Sequence, residues 1–334
     1  MESLLQKMKD GRGLGERTLG NYTSALKKLA VVCTGLEWKG TTFLLNTDSV
    51  IAKLREAHPA ATIAGKLVAI LVAIQPERPN VITKGYESVV PVYRRCLEDI
   101  RREVAEDKSH KSMTEHEEDN WVAMKELIKI QKSYAFKIRK LGYTTRSGDL
   151  TKVKHKDLIQ KYLVASLYTM IPPVRNSYVG MKIVSAEQYE ELGKEKQEAG
   201  NYLVVYSAKK KEFKYGDIKT SFKRDGDYNK YHAGIITGEI PKDLNRVINL
   251  WMNYNHTDDL LLNSRDTQMS PTTFVGYINK VFEKTGKRVG SRIIRKVYLT
   301  EKYGHESTLL EKQSDASAMH HTVTTAATNY IKKV

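Results

Sequence analysis

The chain has 334 residues, with 55 Lys+Arg against 39 Asp+Glu and a formal net charge of +16; at 40% apolar residues it is a folded basic protein, not a disordered one. Its two cysteines, Cys33 and Cys96, exclude a disulfide scaffold and a cysteine-rich zinc module and fit a reducing, intracellular compartment. The longest apolar run, Leu67–Ile74, falls far short of the roughly 20 residues of a membrane span, and the opening residues lack a secretory apolar core, so a soluble protein is expected.

In chain order, the first 105 residues read as helices. Leu19, Tyr22, Leu26, Leu29, Ala30 and Cys33 fall on one stripe at helical spacing, with Thr18 as the expected N-cap. Asp48 or Ser49 is expected to cap a second helix carrying Val50, Ile51 and Leu54. A third covers Ala61 to Ile74 and stops before Pro76; a fourth runs from Glu87 to Glu106. Four short helices imply a small orthogonal bundle. Glu106 to Asn120 is nearly free of apolar residues and reads as an interdomain linker, leaving a second domain over 121–334.

That second domain opens with helices over Trp121–Leu141 and Lys156–Met170, the latter ending at Pro172-Pro173. Tyr202–Tyr206 is a β-type run, with Asp217–Phe222 as its expected return strand and Lys209–Lys214 as a charged tip between them. Ile235-Ile236 and Glu239–Pro241 suggest a third short strand. Helices follow over Lys242–Tyr254, Pro271–Thr285, Arg292–Tyr303 and Thr322–Ile331. The fold class is therefore mainly α with a small antiparallel β-sheet.

Basic residues are clustered. Lys280 to Lys296 holds seven basic residues (Lys280, Lys284, Lys287, Arg288, Arg292, Arg295, Lys296) against the single acid Glu283, and Ser207 to Lys230 holds eight against four. Arg292 and Arg295 are embedded among Ile293, Ile294, Val297 and Leu299, which draws at least one of them toward the interior. An arginine there needs an anionic or hydrogen-bonding partner, and no acid nearby in sequence supplies one. A pI near 9.5 points the same way, to a polyanion such as nucleic acid.

Four features then stand in order: Arg175 after Pro-Pro, the lysine-rich hairpin tip, Arg292-Ile-Ile-Arg295 opening a helix, and His321 nine positions before Tyr330. In that order and on those elements the chain resembles the tyrosine recombinases of the phage-integrase type. "IRKVYLT" is similar to the family's second-arginine helix, "HTVTTAATNY" to its histidine-to-tyrosine segment, and "RTLGNYTSALKKL" to the opening helix of its DNA core-binding domain. The Pro-Pro before Arg175 and the His320-His321 pair resemble recombinases of large DNA viruses and mobile elements.

The resemblance implies an N-terminal helical core-binding domain (1–105), a linker (106–120) and a catalytic domain (121–334), closing on double-stranded DNA as a tetramer on paired sites. It implies a metal-independent strand transferase without cofactor, with no membrane partner and with accessory DNA-bending proteins unspecified. Tyr330 would be the nucleophile of a 3′-phosphotyrosyl intermediate. Arg175 and Arg295 would clamp the phosphate and His321 would hydrogen-bond it. Lys210 would protonate the leaving 5′-oxygen, with Lys209 and Lys211 as rivals. Lys209, Lys211, Lys214, Lys287, Arg288 and Lys296 would contact DNA. Arg292 departs from the family pattern: it stands where histidine is usual, and it cannot act as a base near neutral pH. A type IB topoisomerase-like enzyme and a catalytically silent DNA-binding protein are the alternative readings.

Overall fold

The computed structural model describes residues 2–77, 81–109, 112–142, 153–216, 235–303, 308–320 and 323–332. They divide into two compact units, Met1–His110 and Lys111–Val334.

Unit one holds five helices rather than four: α1 (Glu2–Arg12), α2 (Glu16–Thr34), α3 (Thr47–Ala57), α4 (Ala60–Ile74) and α5 (Val89–Ser109). The expected caps shift by a few residues. Gly15 precedes α2, accepting the amides of Thr18 and Leu19, so Thr18 lies inside the first turn. Asn46 caps α3 by accepting the Ser49 amide at 3.2 Å, where a side-chain oxygen is aimed at an otherwise unpaired donor. Leu26, Leu29, Leu54, Leu67, Ile70 and Tyr93 form the core. Tyr93 keeps its hydroxyl satisfied there by donating to the Leu44 carbonyl at 2.7 Å.

Unit two is mostly helical around a four-stranded sheet. Its elements are α6 (Glu115–Asn120), α7 (Met124–Lys140), α8 (Val153–Thr169), β1 (Lys182–Ser185), α9 (Ala186–Glu191), α10 (Lys194–Ala199), β2 (Asn201–Val205), β3 (Lys211–Tyr215) and β4 (Ile236–Glu239). Then follow α11 (Lys242–Met252), α12 (Pro271–Val281), α13 (Ser291–Tyr303), α14 (Leu309–Ala318) and α15 (Val323–Asn329). The stretch expected as a linker is thus helical at both ends. Thr114 and Glu117 make a reciprocal capping box that starts α6, and Glu117 and Asn120 are buried.

The sheet order is β1-β2-β3-β4, with β1 parallel to β2 and the other pairs antiparallel. It is therefore mixed, not purely antiparallel: α9 and α10 carry the chain back so that β2 can run alongside β1. The return strand after β2 is also earlier than expected. Lys211-Glu-Phe-Lys-Tyr215 alternates, with Lys211, Phe213 and Tyr215 buried, so the tip shrinks to Tyr206–Lys210. The segment Asp217–Phe222 lies outside the described residues.

Phe213 is fully buried on the sheet's inner face, edge-on to Tyr178 at 5.6 Å between ring centroids. The core continues through α7, α8 and Trp251 of α11, whose indole N–H donates to the Leu260 carbonyl at 2.9 Å. Phe213→Ala should destabilise the protein by about 3–5 kcal/mol. Urea unfolding would measure it, and a loss below about 1 kcal/mol would show that this face is not core.

Candidate active site

Each element of the site is set by local chemistry. Pro172 and Pro173 lack amide donors and end the run of α8, so the chain turns before Arg175. Tyr168, fully buried on α8, donates its hydroxyl to the Arg175 carbonyl at 2.5 Å. Ser291, the first residue of α13, donates to Asn176 Oδ1 at 3.1 Å. The turn bearing Arg175 is thereby fastened on both sides.

On α13 the apolar face of Ile293, Ile294, Val297 and Leu299 also carries Arg295, only 1% exposed. Its Nη1 donates to the carbonyls of Pro173 (2.9 Å) and Met319 (3.1 Å), and its Nη2 to Tyr330 Oη at 3.3 Å. Its Nε has no hydrogen-bond partner among the described residues. Burial pushes the Arg295 pKa down, but arginine stays protonated at neutral pH.

Tyr330 follows α15 and is 4% exposed. Thr300 of α13 donates its hydroxyl to the Tyr330 carbonyl at 3.3 Å and accepts the Lys332 amide at 3.0 Å, so it holds the backbone on both sides of Ile331. The phenol oxygen receives Arg175 Nη2 at 3.0 Å and Nε at 3.3 Å, and the ring lies 4.8 Å from Arg295 Cζ. Burial alone would raise this hydroxyl's pKa. The Arg295 charge, together with the Arg175 hydrogen bonds and charge, outweighs burial and lowers it. No carboxylate pairs with Arg175 or Arg295 among the described residues.

Arg175, Arg295 and Tyr330, far apart in the chain, thus meet at one oxygen. Asp315 of α14 accepts the Tyr303 hydroxyl and the Lys302 ammonium of α13, both at 2.5 Å, which seats the Met319-His320 turn beside Arg295. His320 is buried with a left-handed backbone (φ 58°), its ring 4.3 Å from that of Tyr215. His321 lies outside the described residues.

The lysines separate sharply. Lys209 and Lys210 are exposed on the β2–β3 turn. Lys210 stands 4.7 Å from the Tyr206 ring and 3.8 Å from Glu212. Lys211 is buried, and donates to Asn249 Oδ1 (2.6 Å), Asn245 Oδ1 (3.0 Å) and the carbonyls of Ala208 (3.0 Å) and Ser207 (3.3 Å). With neutral acceptors only, burial lowers its pKa. Lys214 pairs with Glu212 at 2.8 Å. Lys287 and Arg288 are exposed, with Lys287 Nζ donating to the Trp121 carbonyl at 2.7 Å. Arg292 is exposed at the start of α13.

Two expectations need correction. Lys211 and Lys296, both expected to contact DNA, are buried and committed to internal partners; Lys296 bonds Glu117. Asn245 and Asn249 of α11, which grip the hairpin turn through the Ala208 carbonyl, carry no distinguishing signal in the sequence. Glu117 does carry one, in the spacing Thr114-Glu-His-Glu117.

The electrostatics give a direct test. In a titration followed by NMR of ¹³Cζ-labelled tyrosine, with Tyr330→Phe assigning the signal, Tyr330 should deprotonate below the ordinary value of about 10. Because the folded-state pKa is depressed, ionisation of Tyr330 adds stability as pH rises from that lowered midpoint to the unfolded value. Arg175→Gln removes a cation that favours the phenolate and should move the midpoint up. A wild-type midpoint at or above 10 would contradict the site's charge balance.

No protein-family model matches the chain, and no curated protein matches it. Among solved structures, a crystal structure of XerA recombinase aligns over 100% of this chain and 94% of its own, at 12% identity and a TM-score of 0.35. At that level the functional reading rests on the residues themselves.

Proposed function

We propose that the chain is a tyrosine-type site-specific DNA recombinase that cleaves and rejoins duplex DNA through a 3′-phosphotyrosyl intermediate. The observation that carries this reading is the convergence of two uncompensated guanidiniums on the hydroxyl of one buried tyrosine. Phenol is a weak nucleophile at neutral pH until neighbouring cations favour its phenolate. A phosphodiester is anionic and gathers charge on its non-bridging oxygens as displacement proceeds, and paired guanidiniums stabilise both charges without a metal.

In this mechanism Tyr330 gives up its proton to solvent, favoured as phenolate by the two arginines, and its Oη forms a bond to phosphorus in line with the breaking bond to the 5′-oxygen. Arg175 holds a non-bridging oxygen, while Arg295, buried with its Nη1 committed to two carbonyls, contributes its charge to the phenolate and the phosphate. The 5′-oxygen takes a proton from the hairpin turn, where Lys210 and Lys209 are the exposed donors and Lys211, held inside, shapes the turn. His321 is assigned to a phosphate oxygen by family pattern. Arg292, exposed and permanently charged, serves as a further electrostatic contact and not as a base. Lys214, Lys287 and Arg288 are assigned to the DNA backbone. In unit one, a cavity of about 690 Å³ is bordered by Lys27, Lys28, Lys53 and Lys66. Burial and the Lys28 charge lower the Lys66 pKa.

The test is covalent capture. Protein is mixed with a pool of random-sequence duplexes bearing staggered nicks, species resistant to detergent are recovered, and their DNA is sequenced and resynthesised. Wild type should form an adduct that maps to Tyr330, while Tyr330→Phe binds the recovered duplex equally and forms none. Arg175→Ala and Arg295→Ala should each lose about 100-fold or more in adduct rate. An adduct formed by Tyr330→Phe would remove Tyr330 as nucleophile. Binding by wild type with no adduct would favour a silent DNA-binding protein.

A further inference from the structure

Glu117 and Lys332 form a buried ionic cluster with Lys296 that the proposed chemistry does not use, and it links α13 to the segment that follows Tyr330. Glu117 Oε1 bonds the Lys296 ammonium, and Oε2 lies 3.2 Å from Lys332 Nζ. The side chains are 3% (Lys296), 7% (Glu117) and 12% (Lys332) exposed. Glu117 is itself fixed by its capping box, with Thr114 N donating to Oε2 at 3.3 Å. Lys332 Nζ also donates to the Ser112 carbonyl at 2.7 Å.

Each member sits on an element that matters. Lys296 follows Arg295 on α13, and Lys332 is two residues past Tyr330. One carboxylate therefore joins the helix of the buried arginine to the segment of the tyrosine, through a third element, α6. We propose that Glu117 is a positioning residue for Tyr330: acting through Lys332, it holds the Ile331–Lys332 segment against α13, so that the phenol oxygen stays between Arg175 and Arg295. This rests on the reading of Tyr330 as the nucleophile.

The charge balance explains why the tether needs a carboxylate. Two ammoniums share one carboxylate, so the cluster is net positive. Burial, with the nearby Arg292 charge, pushes the Lys332 pKa down. Without Glu117, Lys332 would lose the carboxylate that pairs it to the Lys296 helix, while the nearby Arg292 charge would still repel it, loosening the segment from α13. Thr300, through two hydrogen bonds at 3.3 and 3.0 Å, and the Ala326 carbonyl, which accepts the Tyr330 and Ile331 amides at 3.1 and 3.2 Å, would then hold the backbone. Tyr330 needs only a small displacement to lose in-line geometry, and a shift of about 1 Å can cost on the order of 100-fold in rate.

Glu117→Gln tests the anion, but removes the shared carboxylate from two buried ammoniums and would lower the unit's stability. Lys332→Met is the cleaner variant, because Glu117 then pairs one-to-one with Lys296 and a buried cation is removed. On the recovered nicked duplex, Lys332→Met should melt no lower than wild type and bind with unchanged Kd. Its adduct rate at saturating DNA should fall by about 10–100-fold. Lys332→Arg, which keeps the cation, should recover most of that rate. Glu117→Gln combined with Lys332→Met should be no slower than the slower single variant, because both cut the same tether.

A wild-type adduct rate in Lys332→Met overturns the proposal, as does a loss that merely follows a lower melting temperature. Equal loss in Lys332→Met and Lys332→Arg also overturns it. These failures differ from failure of the nucleophile itself. If Tyr330→Phe still forms the adduct, the functional reading falls; if only the Lys332 variants behave as wild type, that reading stands and the tether does not.

Discussion

The buried guanidinium of Arg295 organises the candidate site. Taking a cation out of water costs several kcal/mol unless its donors are accepted. Here the acceptors come from two distant segments, the Pro173 carbonyl after α8 and the Met319 carbonyl after α14, and from the Tyr330 hydroxyl after α15. Three chain segments therefore converge on one side chain of α13. All of these acceptors are neutral, so the positive field is left largely unspent where Tyr330 and a phosphate would meet it.

The carboxylates follow the same logic one step further out. Glu117 neutralises Lys296 and Lys332, and Asp315 neutralises Lys302. Among the described residues, neither Arg175 nor Arg295 has an acidic partner. Lys211 shows a third arrangement. It is surrounded by amide and carbonyl oxygens only, which accept its hydrogens while it orders the turn that displays Lys209 and Lys210. Neutral acceptors thus hold Arg295 and Lys211, while Glu212 pairs with Lys210 and Lys214 on the hairpin and Glu117 and Asp315 hold the lysines that brace the scaffold.

Much of this was legible in the sequence, and the misses have physical causes. The apolar stripe of α2 and the Pro-Pro turn before Arg175 are local signals, set by periodicity and by the missing amides of proline. That at least one of Arg292 and Arg295 is drawn inward was readable from the apolar residues around them; which one, Arg295, depends on the packing of α13. The lysine run 209–211 misled, because charge suggests solvent while Lys211 obeys the alternation of β3 instead. The parallel pairing of β1 with β2 depends on α9 and α10 returning the chain, which no local pattern encodes. Glu106–Asn120 looked like a linker because its composition is polar. Its one buried carboxylate is stabilised by Lys296 and Lys332, about 180 to 215 positions away in the chain, beyond any local reading.

The two arginines differ in a way that assigns them separate tasks. Arg295 is 1% exposed and its Nη1 is committed to two backbone carbonyls, so it cannot move without dismantling the site. Arg175 is exposed, and its recorded side-chain hydrogen bonds both run to Tyr330 Oη. On the strand-transfer reading, a phosphodiester arriving from the open side reaches Arg175 first and can exchange those bonds for non-bridging oxygens. The phenol oxygen would then lose the partner that pins it but keep the Arg295 charge that favours its phenolate. On that reading, a resting site built this way would restrain Tyr330 with the same side chain that would later bind the substrate, so activation would be coupled to the presence of DNA.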